Sequence, residues 1–168
     1  MNSVENILRQ RAVKAATRLK TTEISDALEL IYFRIENEIY AIEASVVSEI
    51  HKFKEPTPVP FTPSYIYGIF HLRGRFISLV SLRAFLGIAE QSKEHSHSIL
   101  LLSNEIMEFA ITVDEVLEQR KLSKQEVQEI PSGFNLPRAD LVIGVTENGT
   151  IVLDGKKIMA DSAMIIHT

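Results

Sequence analysis

From Ala27 onward the chain alternates apolar and polar residues with the period of two that marks half-buried β-strands. Leu28 to Ile35 alternates, Glu36-Asn37 supplies a tight turn, and Ile39 to Ile42 returns, which predicts a hairpin. A third strand is expected over Val46 to Phe53, opened by a short turn at Ala44-Ser45. Pro56, Pro58, Pro60 and Pro63 then stop regular pairing, because proline lacks a ladder donor and pushes its predecessor toward extended conformations. Strands are predicted at Ile66 to Leu72 and Arg75 to Leu82 around an Arg73-Gly74 turn, followed by one helical turn from Arg83 to Leu86 that Gly87 ends.

Residues 89 to 98 are polar and read as an exposed joint. Beyond it the pattern predicts strands at Ser98 to Ser103, Met107 to Val113 and Val116 to Leu122, then a polar segment from Ser123 to Glu129. A loop from Pro131 to Pro137 leads to a strand at Leu141 to Thr146. Asn148-Gly149 is the strongest hairpin signal in the chain and returns it to Ile151 to Leu153. Lys156 to Met164 reads as a short helix or irregular cap. Many short strands at close spacing make the chain mainly β with little helix.

The two halves resemble each other. Tyr40-Ala41-Ile42, Val47 and Glu49 are matched sixty-nine positions later by Phe109-Ala110-Ile111, Val116 and Glu118, without a gap. Each copy is followed by a proline-bearing loop and a strand with a central glycine, Gly68 in one and Gly144 in the other. This shared order predicts a duplicated small β unit. Such a unit carries no inherent catalytic apparatus, but it presents two barrels with a groove between them.

Residues 1 to 20 differ in character. Arg9, Arg11, Lys14, Arg18 and Lys20 face a single acid, Glu5, while Val4, Ile7, Leu8 and Leu19 fall near helical spacing with alanines between. The segment reads as a short basic amphipathic helix, either packed on the body or serving as a docking arm for an acidic or membrane surface. The predicted organisation is therefore an extension over 1–26 and a domain over 27–168. Within that domain, subdomain halves run near 27–90 and 98–156, and a tail covers 157–168.

Composition narrows the function. At 168 residues, with 45% apolar and 24% charged positions, the chain suits one ordinary domain or two small subdomains sharing a core. A net charge of −4 argues against general affinity for nucleic acid, which needs clustered Lys and Arg. The absence of cysteine excludes disulfides, thiolate metal sites and a Cys nucleophile. No apolar run approaches the roughly 20 residues that cross a bilayer, and no secretory apolar core opens the chain, so a cytoplasmic protein is expected.

Candidate chemistry is sparse. Glycine-rich phosphate loops, Gly-x-Ser-x-Gly and His-Glu-x-x-His are missing. His95 and His97 with Glu94 offer too few ligands for a metal site. His51 and His71 lack a Ser or Asp at a spacing with nucleophilic meaning, so a hydrogen bond at a strand edge or turn is the expected role of each. Glu49 and Glu118 could form an acid–base pair, but their duplication favours a structural or interface role. No catalytic residue, metal or cofactor is assigned.

Several of these stretches together resemble the CheW-like family of chemosensory adaptors. They are Tyr40-Ala41-Ile42, Val47-Ser48-Glu49-Ile50, the Pro56 to Pro63 loop, Gly68-Ile69-Phe70-His71-Leu72-Arg73-Gly74 and the strand onward to Arg83; Val113 to Val116 and Gly144 to Asp154 extend the likeness to the second half. The match covers residues 28 to 156. His71 stands where the family commonly has asparagine, and Ser81 where it commonly has aspartate. The resemblance implies two SH3-like five-stranded β-barrels packed through a shared core. It also implies a non-enzymatic bridge between a chemoreceptor's cytoplasmic hairpin tip and the regulatory domain of a CheA-type histidine kinase, touching membrane only through receptors. By position it implies partner contacts at Val47, Glu49, Arg73 and Val116, with Gly68, Gly74 and Gly144 shaping the strands and turns. Because the same module serves gliding, pili and development, the pathway stays open. The rival readings are a small-barrel single-strand nucleic-acid binder, disfavoured by the acidic balance and 7% aromatic content, and an enzyme of unknown type.

Overall fold

The computed structural model describes residues 26–89 and 98–164. The basic segment 1–20 and the His95–His97 loop lie outside the described residues. The first half gives β1 (Ala27–Ile35), β2 (Glu38–Glu43), β3 (Val47–Lys52), β4 (Ile66–Leu72), β5 (Arg75–Ser81) and α1 (Leu82–Phe85). The second gives β6 (Ser98–Ser103), β7 (Glu108–Val113), β8 (Glu115–Ser123), β9 (Val127–Gln128), β10 (Val142–Thr146), β11 (Ile151–Leu153) and α2 (Gly155–Ala160). The predicted strands are all present within a residue or two. The exception is β9, which falls in the segment read as merely polar; two residues are too short for any periodicity to register.

These strands form two sheets, one in the order β8-β1-β2-β11-β10-β9 and one in the order β3-β6-β7-β5-β4. Neither sheet comes from one half of the chain: each draws strands from both sides of residues 90–97. The hairpin β1–β2 stays in the first sheet, and a 3-10 turn at Ala44–Val46 sends β3 into the other. The second copy does the reverse, since β6 and β7 remain with β3 while β8 crosses to pair with β1. Local hairpin signals specify only antiparallel neighbours; the parallel pairs β2·β11 and β5·β7 that complete each sheet have no local signature.

The duplication is visible in detail. Tyr40-Ala41-Ile42 pairs in parallel with Ile151 to Leu153, and Ala110-Ile111-Thr112 pairs in parallel with Leu79 to Ser81. Both copies carry a β-bulge at one place, Ser48 between Val47 and Glu49 and Leu117 between Val116 and Glu118. Gly68 and Gly144 also correspond. A Cβ on Gly68 would lie 2.1 Å from the Thr57 carbonyl oxygen, and one on Gly144 would lie 2.2 Å from that of Gln128. Each glycine thus admits a crossing backbone, an isolated bridge at Thr57 in one sheet and β9 in the other. Each sheet is followed by a short helix with a side-chain cap: Ser81 Oγ accepts from Ala84 N–H at 3.2 Å, and Asp154 Oδ1 from Lys157 N–H at 3.1 Å. Serine and aspartate cap helices about equally well, so Ser81 departs from the family residue without losing its task.

Apolar residues sort into three clusters. Leu30, Tyr32, Ala41 and Val152 fill the inner face of the first sheet. Phe70, Leu72, Ile77, Leu79, Ile99 and Leu101 fill that of the second. The opposite faces meet in one central cluster that includes Phe33, Ile42, Leu100, Leu102, Ile111 and Leu153. A strand such as β6 therefore buries both faces, Ile99 and Leu101 inward, Leu100 and Leu102 toward the other sheet. Two small SH3-like units packed through a shared core are the result.

Candidate interaction site

The β4–β5 hairpin closes on two residues, with Leu72 opposite Arg75. Arg73 has φ +49° and Gly74 φ +80°, the doubly left-handed geometry of a tight primed turn. Glycine suits this conformation, whereas an arginine in it carries a steric cost. Its side chain remains 68% exposed, and Nη1 donates to Glu49 Oε1 at 2.9 Å. Glu49 lies just past the bulge in β3 and is three-quarters buried; its other oxygen, Oε2, lies 2.7 Å from His51 Nε2, which donates to it. Both oxygens of this carboxylate are therefore engaged.

Val47 precedes the same bulge. It stands opposite Leu102, is half-buried and packs against the central cluster. The structure so brings Val47, Glu49 and Arg73 together around one end of the second sheet, with Gly74 completing the turn. Val116 is on the other sheet. It stands opposite fully buried Phe33 and borders the same central cluster. Glu118, the counterpart of Glu49, pairs with Arg120 at 3.2 Å, and the Arg120 guanidinium lies 5.9 Å from the centre of the Tyr32 ring. Glu49 and Glu118 are committed to separate cations on separate sheets and do not form an acid–base pair.

Among the described residues one other histidine is present, and no ion pair to it is seen. His71 is exposed on β4 and meets Phe76 edge-to-face at 5.5 Å. Among the described residues no group of three or more His, Asp or Glu side chains is placed to hold a metal ion. No helix among them is long and apolar enough to cross a membrane.

Two features escaped sequence reasoning. Arg138 donates through Nε and Nη2 to the two oxygens of Asp140, each at 3.0 Å, and through Nη2 to Asp161 Oδ2 at 2.6 Å. Its guanidinium also lies 5.0 Å from the centre of the Phe85 ring. These bonds raise the Arg138 pKa, and the same Arg138 hydrogen bond holds the Asp140 carboxyl below its ordinary value. An Arg-x-Asp triplet carries no recognisable signal in sequence. The second feature is an open cleft of about 490 Å³ lined by Tyr40, Ile88, Phe134, Leu136 and Pro137 among others. Residues from four separate segments line it, so no local pattern announces it.

The family model described as "CheW-like domain" matches residues 29–163. The chain is 28% identical over 146 residues to the chemotaxis protein CheW of Treponema pallidum, an overlap of 83% of this chain and 86% of that protein. It is 31% identical over 124 residues to the chemotaxis protein CheW of Helicobacter pylori, covering 73% and 74% of the two chains. Among solved structures, the scaffolding protein TtCheW from Thermoanaerobacter tengcongensis superposes with a TM-score of 0.66 at 24% identity, covering 75% of this chain and 88% of that one. This last similarity speaks to the fold.

Proposed function

The chain belongs to the CheW-like family, and on that premise we propose that it couples the cytoplasmic hairpin tip of a chemoreceptor to the regulatory domain of a CheA-type histidine kinase. It is a non-enzymatic scaffold protein of the chemotaxis type. In the proposed role it works in the cytoplasm, meets the membrane only through receptors and has no business with nucleic acid.

The observation that carries this reading is the Arg73 turn. A guanidinium placed on a left-handed turn, anchored at one nitrogen and otherwise exposed, is built to offer its planar fork to acceptors on another molecule. Half-buried Val47, two residues before Glu49 on β3, offers apolar surface, the usual companion of a polar rim in a contact patch. Val116 extends the apolar border from the first sheet. A helical hairpin fits such a surface, since it presents apolar residues at helical spacing with polar flanks.

The test is direct. The purified chain, a soluble cytoplasmic receptor fragment and an isolated kinase regulatory domain are mixed pairwise and together, and assembly is followed by size-exclusion chromatography with light scattering. Two binary complexes and one ternary complex are expected. A natively folded chain that binds neither protein overturns the proposal.

A further inference from the structure

The duplication gives His51 a counterpart in the other half of the chain. Two positions beyond each matched glutamate stands the side chain that pairs with it: His51 beside Glu49 and Arg120 beside Glu118. The β4–β5 turn then adds Arg73 to Glu49. We infer that His51 is a positioning residue for Arg73, acting through the Glu49 carboxylate; this rests on the reading of the Arg73 turn as a partner contact.

Glutamate and arginine are both long side chains, and an exposed pair held by a single contact is loosely defined. Arg73 meets Glu49 through one oxygen, Oε1, at 2.9 Å. Rotation of the carboxylate would carry that oxygen away. His51 prevents the rotation: its Nε2–H donates to Oε2 at 2.7 Å, and its ring, with 28% of the side chain exposed, has only two torsions to hold. With Oε2 fixed, Oε1 stays turned toward the hairpin, and the guanidinium is held at one nitrogen with its other N–H groups accessible. A partner then meets a pre-oriented cation instead of ordering one as it binds.

His51→Leu removes the donor and keeps an apolar side chain suited to a strand; His51→Thr is a second removal in case the first perturbs the fold. His51→Arg restores a donor by copying the residue of the second half. The first readout needs no partner: the heteronuclear NOE of the Arg73 Nε–Hε pair in the intact chain. It should fall toward the value of a freely mobile arginine in His51→Leu and His51→Thr, and stay at the native value in His51→Arg. An unchanged NOE in a folded donor-less variant overturns the inference. The second readout is affinity for a soluble chemoreceptor cytoplasmic fragment, expected to weaken about threefold to tenfold in His51→Leu, as for part of a hydrogen bond to a charged group. In an Arg73→Ala background the same change should cause no further loss. Additive losses would show that His51 contacts the partner itself and would also overturn the inference. If the wild-type chain does not bind the fragment, the partner reading fails, while the NOE still decides the role of His51.

Discussion

Arg73 and Glu49 join opposite edges of one sheet. β4 and β3 are the outermost strands of the five-stranded sheet, yet Nη1 of the one residue lies 2.9 Å from Oε1 of the other. A flat sheet of five strands would hold its edges roughly 19 Å apart at about 4.8 Å per strand spacing, far beyond the reach of an arginine. The sheet is curled until its edges meet, and this ion pair spans the seam. That position explains why the cation is presented rather than buried: it stands on the turn past the end of β4, beyond the Thr57–Ile69 bridge that pairs this edge.

A seam pair of this exposure contributes little to stability. Arg73→Ala is expected to cost about 0–1 kcal/mol in unfolding free energy, the range for surface ion pairs. Affinity for a receptor fragment should fall by about 1–3 kcal/mol, as for loss of a hydrogen bond to a charged group. Urea unfolding and calorimetric titration separate the two. A variant that melts far earlier yet binds normally would make Arg73 a structural residue.

The paired glycines make a prediction about the fold itself. Gly68→Ala and Gly144→Ala would drive a methyl group into a backbone carbonyl, at 2.1 and 2.2 Å, and backbone cannot yield as a flexible side chain can. Each should destabilise by more than about 3 kcal/mol, in the tail of the distribution for point changes. Gly74→Ala has open space around it, so only the positive φ counts, at a cost of about 1 kcal/mol. Chemical denaturation of the three variants gives the ranking. Equal costs at all three positions would show that the close approach is not what selects glycine.

Much of this was legible in the sequence because alternation and turn chemistry are local. Glu36-Asn37, Arg73-Gly74 and Asn148-Gly149 each mark a hairpin, and the sixty-nine-residue offset aligns even the bulges at Ser48 and Leu117. The exchange of β3 and β8 between sheets was not legible, since either copy pairs its strands equally well on paper. Nothing at residue 45 announces which sheet the next strand will join; the burial of both faces of β6 decides it. At the site, Arg73 could be read as exposed from its turn. Its meeting with Glu49, twenty-four residues away and on the opposite edge, depends on the curl of the whole sheet.

Tyr40 gives a pH dependence with a definite sign. It is buried and stacked on Phe33 with ring centres 6.1 Å apart. Burial first and the nearby Glu38 second push its hydroxyl up to about 12. The folded state therefore favours the protonated phenol. The resulting stabilisation is fully present below the unfolded value near 10 and is lost as pH rises through the folded value. Two units correspond to about 2–3 kcal/mol. Unfolding free energies at about pH 9 and about pH 12 should converge in Tyr40→Phe relative to wild type, because the other groups titrate in both proteins and cancel in the comparison. An identical alkaline loss in the two proteins would remove Tyr40 from the account.

Val47 and Val116 separate the two sheets as binding surfaces. Each is half-buried against the central cluster, at matching positions beside matching bulges. A carboxylate at either position can still turn to solvent, so Val47→Asp and Val116→Asp should fold, with unfolding free energies lowered by about 1–3 kcal/mol for the lost apolar burial. Binding is where they should differ in degree. Val47 stands two residues before Glu49 on β3, so a negative charge there removes apolar contact and sits near the carboxylate that holds Arg73, and receptor coupling should be abolished. Val116 adjoins Glu118 and Arg120 with no turn arginine to disturb, so its loss should come from apolar contact alone. Circular dichroism melts check the folding of both variants, and receptor-dependent kinase activation with the purified ternary mixture reads the coupling. Two folded variants that activate the kinase normally would exclude both valines from the contact surface.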